Sequence, residues 1–339
     1  MFLKNKHMRN SNFELLRIIT IILIITGHSS FNCIGIPSTW DDCHVLSFFV
    51  SSFTVVGVNV FILITGYFSA KLKKRSIFNL LYICLFYALF RIGYDLITSN
   101  LSMQTVQSLL FVSSSNWFIP AYLGLLIIAE FINPFIEQAS KQQFGKLLLI
   151  FFIFQIWFGW RPGLLYGNDF AGGYSILSFV FLYLLGRYYQ LYGISLFSTK
   201  GRCVILYLSI SLLLALWVTG GYYFDKVEIV RLSRWHAYNN PLIIISSLAF
   251  FAWFSQINIR PSKTINYLAQ STLGVLLFHV GRPVFPYMQR LFTSLYATGN
   301  ILTIIVVGGG IILVIYVAGV LFDQLRIFSY KYLSKFLKF

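Results

Sequence analysis

The apolar residues of this chain come in uninterrupted runs, so they cannot all be buried by folding in water. Ile18 to Gly27 reads IITIILIITG, and Ile301 to Leu321 holds no charged side chain. A helix needs roughly 20 mostly apolar residues to cross a bilayer, and runs of that kind recur along all 339 residues. Only 11% of the residues are charged and 58% are hydrophobic. Soluble domains carry about 25% charge, so a water-soluble surface cannot be built from this composition. In lipid every backbone polar group must be satisfied internally. The expected fold class is all-α: one polytopic integral membrane domain over 1–339, solvated by membrane lipid.

About ten transmembrane helices fit the hydropathy, at 13–32, 46–69, 77–98, 117–136, 146–160, 174–190, 203–220, 241–256, 266–285 and 300–322. The fifth and eighth are short. With the N-terminus inside, 18 of the 26 Lys and Arg residues fall on inner segments, six on outer ones, and Arg17 and Arg91 within spans. Cytoplasmic loops carry such an excess, so both the N and C termini are expected to be cytoplasmic. The tail residues Lys4, Lys6, Arg9, Arg326 and Lys338 read as topology determinants. The net charge of +16 has the same explanation, and no soluble domain remains to bind nucleic acid. Basic residues ahead of an apolar run resemble a signal peptide. However, Glu14 and Arg17 interrupt the run and no small-residue cleavage site follows, so it is expected to stay as the first helix. No internal repeat supports an inverted-repeat transporter. Cys33, Cys43, Cys84 and Cys203 match no metal spacing. Cys33 and Cys43 share an outer loop, either as a disulfide or as two thiols.

Ionisable groups inside a bilayer are costly, which makes each a functional candidate. The first span holds Glu14, Arg17 and His28. Eleven residues are close to three turns, so Arg17 and His28 share a helix face roughly 16 Å apart along the axis. Glu14, three residues before Arg17, joins that face. A guanidinium near the cytoplasm can hold an anionic donor, and an imidazole nearer the outside can move a proton to or from an acceptor. The bland alternative is a snorkelling Glu14–Arg17 pair and a packing histidine. His279 lies at a similar height on the ninth span and carries the same two readings. Arg282 follows it by three residues. Lys71, Lys73, Lys74 and Arg75 form a basic loop suited to phosphates or to anionic lipid and topology. Arg91 and Asp95 are four apart and can pair on one face, beside an acceptor pocket or as a structural tie. Asn59 and Trp117 can line a groove or simply pack. Glu130 reads as a lone buried acid in the fourth span. His7, His44 and His236 read as solvated residues of tails and loops.

The stretch NSNFELLRIITIILIITGHSS (10–30) resembles the opening of membrane acyltransferase family 3, marked by an Arg, ten residues and a His on the first helix. VGVNVFILITGYFS (56–69), NWFIPAYLGLLIIAEFINPF (116–135), FVFLYLLGRYY (179–189) and SKTINYLAQSTLGVLLFHVGRP (262–283) resemble later segments of that family, in the same order. The resemblance implies an O-acyltransferase in a bacterial plasma membrane. It would carry acetyl from cytoplasmic acetyl-CoA to a hydroxyl of a cell-surface or capsular polysaccharide or its lipid-linked precursor. It holds no permanent cofactor and no metal. The family's Arg and His correspond to Arg17 and His28, and its late His to His279. Under this reading His28, Arg17 and His279 are catalytic. Arg17, Lys71, Lys73, Lys74 and Arg75 bind the donor, and Glu14, Asn59, Trp117, Arg91 and Arg282 contact the acceptor. Whether His28 acts as base or as nucleophile stays open. Leu276-Leu277-Phe278 ahead of His279 departs from the Tyr-Leu-Ile of many relatives. No appended extracytoplasmic domain is expected, so transfer is assigned to the membrane domain. The competing classes are a polysaccharide polymerase or flippase, for which the outer loops are short, and a transporter, which calls for more intramembrane charge or broken helices.

Overall fold

The computed structural model describes residues 10–35, 41–107, 117–160, 171–225 and 234–336. Lys4, Lys6, His7, Arg9, Arg161, Lys226, Arg231 and Lys338 lie outside them. In chain order the helices are α1 (Ser11–His28), α2 (Phe31–Ile34), α3 (Asp42–Thr54), α4 (Val56–Tyr67), α5 (Lys74–Ile97), α6 (Met103–Gln107), α7 (Phe118–Gln138) and α8 (Lys141–Gln155). They continue as α9 (Ile176–Tyr192), α10 (Lys200–Asp225), α11 (Pro241–Ser255), α12 (Lys263–Leu268), α13 (Thr272–His279), α14 (Val284–Tyr296) and α15 (Ile301–Phe336). Among the described residues there is no strand.

Among the described residues, seven stretches are long and apolar enough to cross a membrane. They are Ser11–Ile34, Asp42–Tyr67, Lys74–Ile97, Phe118–Gln138, Lys141–Trp160, Lys200–Phe224 and Ile301–Lys335. The fifth expected span, read as short, is long enough because a π-helical turn at Ile156–Trp160 prolongs α8. The eighth is short, at 15 residues. The outer faces of these helices are apolar. On α15 alone Leu302, Val306, Val314 and Leu321 are each more than 60% exposed. Apolar surface on that scale is untenable in water and natural in lipid.

Two expectations are corrected. The ninth span is not one helix over 266–285. It consists of α12, a 3₁₀ turn at Ala269–Ser271, and α13, which ends at His279. The Gly281-Arg282-Pro283 sequence then turns the chain, since proline has no N–H and a fixed φ. The unforeseen α14 follows. It buries Met288, Phe292, Leu295 and Tyr296 and exposes Tyr287 and Leu291, the two-faced pattern of a helix lying along an interface. The second correction concerns the tenth span, expected at 300–322: α15 runs 36 residues, Ile301–Phe336, and carries Arg326, read as a topology charge of the tail, as a buried side chain.

The bundle is built around α4. Its sequence VGVNVFILITGY is apolar except at Asn59, Thr65 and the terminal Tyr67, and such a helix belongs in an interior. Val56, Val60, Ile62 and Leu63 are fully buried. It packs most extensively on α9, and two glycines permit the approach. A Cβ on Gly66 would stand 2.0 Å from the Tyr183 carbonyl oxygen, and one on Gly186 would stand 2.4 Å from that of Leu63.

At the Arg17 end of the bundle, α7 secures the loop between α4 and α5. Tyr183 donates to Asn133 Oδ1 at 2.6 Å, and Asn133 Nδ2 donates to the Ala70 carbonyl at 3.2 Å. The Glu130 carboxylate accepts from the Leu72 backbone N–H. Glu130 is therefore an exposed loop anchor, not the buried acid expected, because it lies on the face of α7 away from the buried Ala129, Asn133 and Ile136. Replacing Asn133 with Ala removes one partner of the buried Tyr183 hydroxyl and the donor to the Ala70 carbonyl, at a cost of about 1–3 kcal/mol. A lowered melting temperature in detergent is expected; a variant that melts with the wild type shows this tie carries no stability.

Candidate active site

The first helix presents its polar residues to two interior cavities. Arg17 lines one of about 590 Å³, together with Thr65, Arg75, Asn79, Tyr122, Gln270 and Arg326. His28, three turns further along, lines a second of about 230 Å³ with Trp117, Ile119, Tyr174, Tyr238 and Phe285. Phe118 and Leu276 line both. The cavities therefore stand back to back along α1, separated by an apolar partition. At the first turn, Arg17 donates from Nη1 to Glu14 Oε1 at 2.8 Å. Glu14 is thus the partner of the guanidinium, not a wall of either cavity.

The two histidines brought together are 251 residues apart in sequence. His28 Nδ1 lies 2.9 Å from His279 Nε2, and the ring centroids are 5.1 Å apart. His279 is fully buried. Its Nδ1 lies 2.9 Å from the Val275 carbonyl oxygen. A carbonyl only accepts, so that nitrogen carries the hydrogen. In the neutral dyad Nε2 of His279 then holds a lone pair, and His28 Nδ1–H donates to it. This leaves the lone pair of His28 on Nε2, the nitrogen not engaged by His279. The tautomer follows from hydrogen-bond geometry, and it turns His28 into an oriented proton acceptor.

Three aromatic rings wall this cavity. Trp117 and Tyr174 are 4.4 Å apart, Tyr174 and Tyr238 4.9 Å, and Trp117 and Tyr238 5.9 Å. Asn59 positions them. It is buried on α4 and donates from Nδ2 to the Tyr238 carbonyl at 2.9 Å, while the Tyr238 N–H donates to the Gly172 carbonyl at 2.9 Å. Asn59 supports the wall without lining the cavity.

The other expected residues divide by position. Trp117 and Arg75 line the cavities; Lys71, Lys73 and Lys74 do not. Arg91 is buried behind α13, where Nη2 donates to the Leu277 carbonyl at 2.9 Å. The Arg282 side chain is 57% exposed and 4.0 Å from Asp95, which also accepts from Thr105 Oγ1 at 2.6 Å. His236, expected to be solvated, packs beside α3 with Nε2 2.9 Å from Ser52 Oγ, and burial pushes its imidazole down to about 4. His44 pairs with Asp41 at 3.0 Å. All four cysteines are buried free thiols. Sequence reasoning missed Arg326 and Asp323. The available signal was their i, i+3 spacing just past a charge-free run, the same spacing as Glu14 and Arg17.

Neither a curated protein nor a solved structure matches the chain. The sequence model of the family described as an acyltransferase domain does, over residues 10–322. That match spans the helix with Arg17 and His28, the segment with His279, and every cavity-lining residue except Arg326, Ile327 and Tyr330 of α15. The chain belongs to membrane acyltransferase family 3.

Proposed function

We propose that this acyltransferase takes an acetyl group from acetyl-CoA on the cytoplasmic side and places it on a hydroxyl of a cell-surface or capsular polysaccharide or its lipid-linked precursor. In this reading ten spans cross a bacterial plasma membrane with both termini inside. The Arg17 cavity then opens to the cytoplasm and the His28 cavity faces the outside. The reading is carried by one observation: a paired histidine and an arginine on one helix, each lining its own cavity, with Phe118 and Leu276 common to both walls.

The donor's phosphates lie near Arg17 and Arg75, with Lys71, Lys73 and Lys74 drawing them to the entrance. The thioester reaches past the partition to His28. The acceptor hydroxyl gives its proton to His28 Nε2, and its oxygen attacks the thioester carbonyl carbon. The carbon–sulfur bond breaks, and the departing thiolate takes the proton back from His28. His279 holds the ring and accepts its Nδ1–H throughout. The wall of Trp117, Tyr174 and Tyr238 supports a sugar acceptor, because the C–H faces of a pyranose stack on aromatic rings.

The test uses purified enzyme in nanodiscs with acetyl-labelled CoA and surface glycan from the producing cells. Label is expected in alkali-labile esters on the glycan. Absence of transfer to any glycan fraction, with folded protein and intact donor, ends this reading. Trp117→Ala is expected to raise the KM for the glycan about tenfold, the loss of roughly one aromatic contact. The KM for acetyl-CoA should stay within about twofold on the same estimate. Equal rises in both constants remove Trp117 from the acceptor side.

A further inference from the structure

The Arg17 cavity contains a second ion pair that the acyl-transfer step does not use. On α15, Arg326 donates from Nε to Asp323 Oδ1 at 2.8 Å and from Nη2 to Oδ2 at 2.7 Å. Tyr87 on α5 donates to the same Oδ1 at 3.1 Å. Asp323 is 0% and Arg326 4% exposed, so the pair is buried apart from the guanidinium edge that lines the cavity. α13 makes room for it: a Cβ on Gly274 would stand 2.1 Å from Asp323 Oδ1.

Such a pair is weak evidence for stability, because desolvation offsets the attraction. Its effect on the guanidinium is more telling. The Nε–Nη2 edge is clamped, and the remaining nitrogen, Nη1, has only Asn79 Oδ1 near it, at 3.4 Å. That is the long end of the hydrogen-bond range. Nη1 carries two N–H donors, so at least one is unspent on the side chain that lines the cavity. Arg17 from α1 and Arg75 from α5 line the same space. Planar guanidinium groups arriving from separate helices suit a multiply charged oxyanion, and about 590 Å³ is within the usual size of a small-molecule site.

We infer that this cavity is a phosphate site with Arg326 as its fixed donor, and that it takes the phosphate-bearing nucleotide end of the acyl donor. The nucleotide assignment rests on the acetyl-CoA reading above; a phosphate site does not. An anionic lipid headgroup offers the same chemistry, and the experiment separates the two.

Full-length protein in phosphatidylcholine nanodiscs is titrated with CoA and with inorganic pyrophosphate by calorimetry. The key variant is the double substitution Asp323→Asn/Arg326→Gln. Arg326→Gln alone strands a buried carboxylate, whereas removing both charges keeps the bundle neutral; thermal melting checks the fold. The double variant is expected to weaken both ligands tenfold or more. Wild-type affinity for both in the double variant overturns the inference. If wild type binds pyrophosphate through Arg326 but not CoA, the phosphate site stands and the acetyl-CoA reading falls. If phosphatidylglycerol in the nanodisc abolishes CoA binding to wild type, the cavity belongs to lipid and the nucleotide assignment is overturned.

Discussion

His28→Ala is expected to lower the rate of labelled acetyl transfer by about 10²–10⁴-fold, the usual contribution of a positioned acid–base group. The size follows from the hydrogen-bond chain. Val275 fixes His279, and His279 fixes the His28 tautomer that leaves Nε2 able to take a proton. His279→Ala should cost less, since it removes the orienting ring and spares the lone pair that moves the proton. Monodisperse, normally inserted protein is the control. If His28→Ala transfers acetyl at the native rate, the histidine pair is a packing feature and the chemistry lies elsewhere.

Gly66→Ala is expected to be the most damaging single methyl in the bundle. The added carbon would meet the oxygen, carbon and Cα of Tyr183 at 2.0, 2.8 and 2.9 Å. These are backbone atoms of α9 and cannot turn aside as a side chain can. Overpacking costs about 1–3 kcal/mol and occasionally more, and a backbone clash belongs at the upper end. The readout is the melting temperature in detergent, with yield of inserted protein as a second measure. Gly310→Ala serves as the contrast: nothing lies within 4 Å of a Cβ there, and alanine is the better helix former by about 1 kcal/mol. Equal melting of the two variants would mean that α4 and α9 do not approach as closely as described.

Hydropathy read most helix positions to within a few residues, because a lipid-facing helix advertises itself locally by length and composition. It failed at the ninth span, where Gly281 and Pro283 end a run whose apolar content continues into α14. A sliding composition does not distinguish a crossing helix from one that turns along an interface. It also read Arg326 only as a topology charge of the tail, where the structure buries it. Its partner Asp323 is visible in the sequence, but its burial against Tyr87 and Gly274 is not.

The candidate site divides in the same way. Arg17 and His28 on one face of one helix were legible, since 11 residues of α-helix fix their relation whatever surrounds them. Trp117 and Tyr174 each open an expected span, but Tyr238 comes from a loop, and no local periodicity says that the three rings meet. Asn59 was singled out for the acceptor, and the structure gives it to the loop that carries Tyr238.

The sequence by itself determined that the chain is a helical membrane protein, which family it resembles, and that a guanidinium and an imidazole share a helix face. These depend on residue type and on spacing within single helices. Only the tertiary structure decided that His279 meets His28, that Phe118 and Leu276 divide two cavities, and that Arg326 joins Arg17 across more than three hundred residues of chain. Those relations arise where α13 and α15 close on α1 with α5 packed against both, and no local pattern encodes which helices will be neighbours.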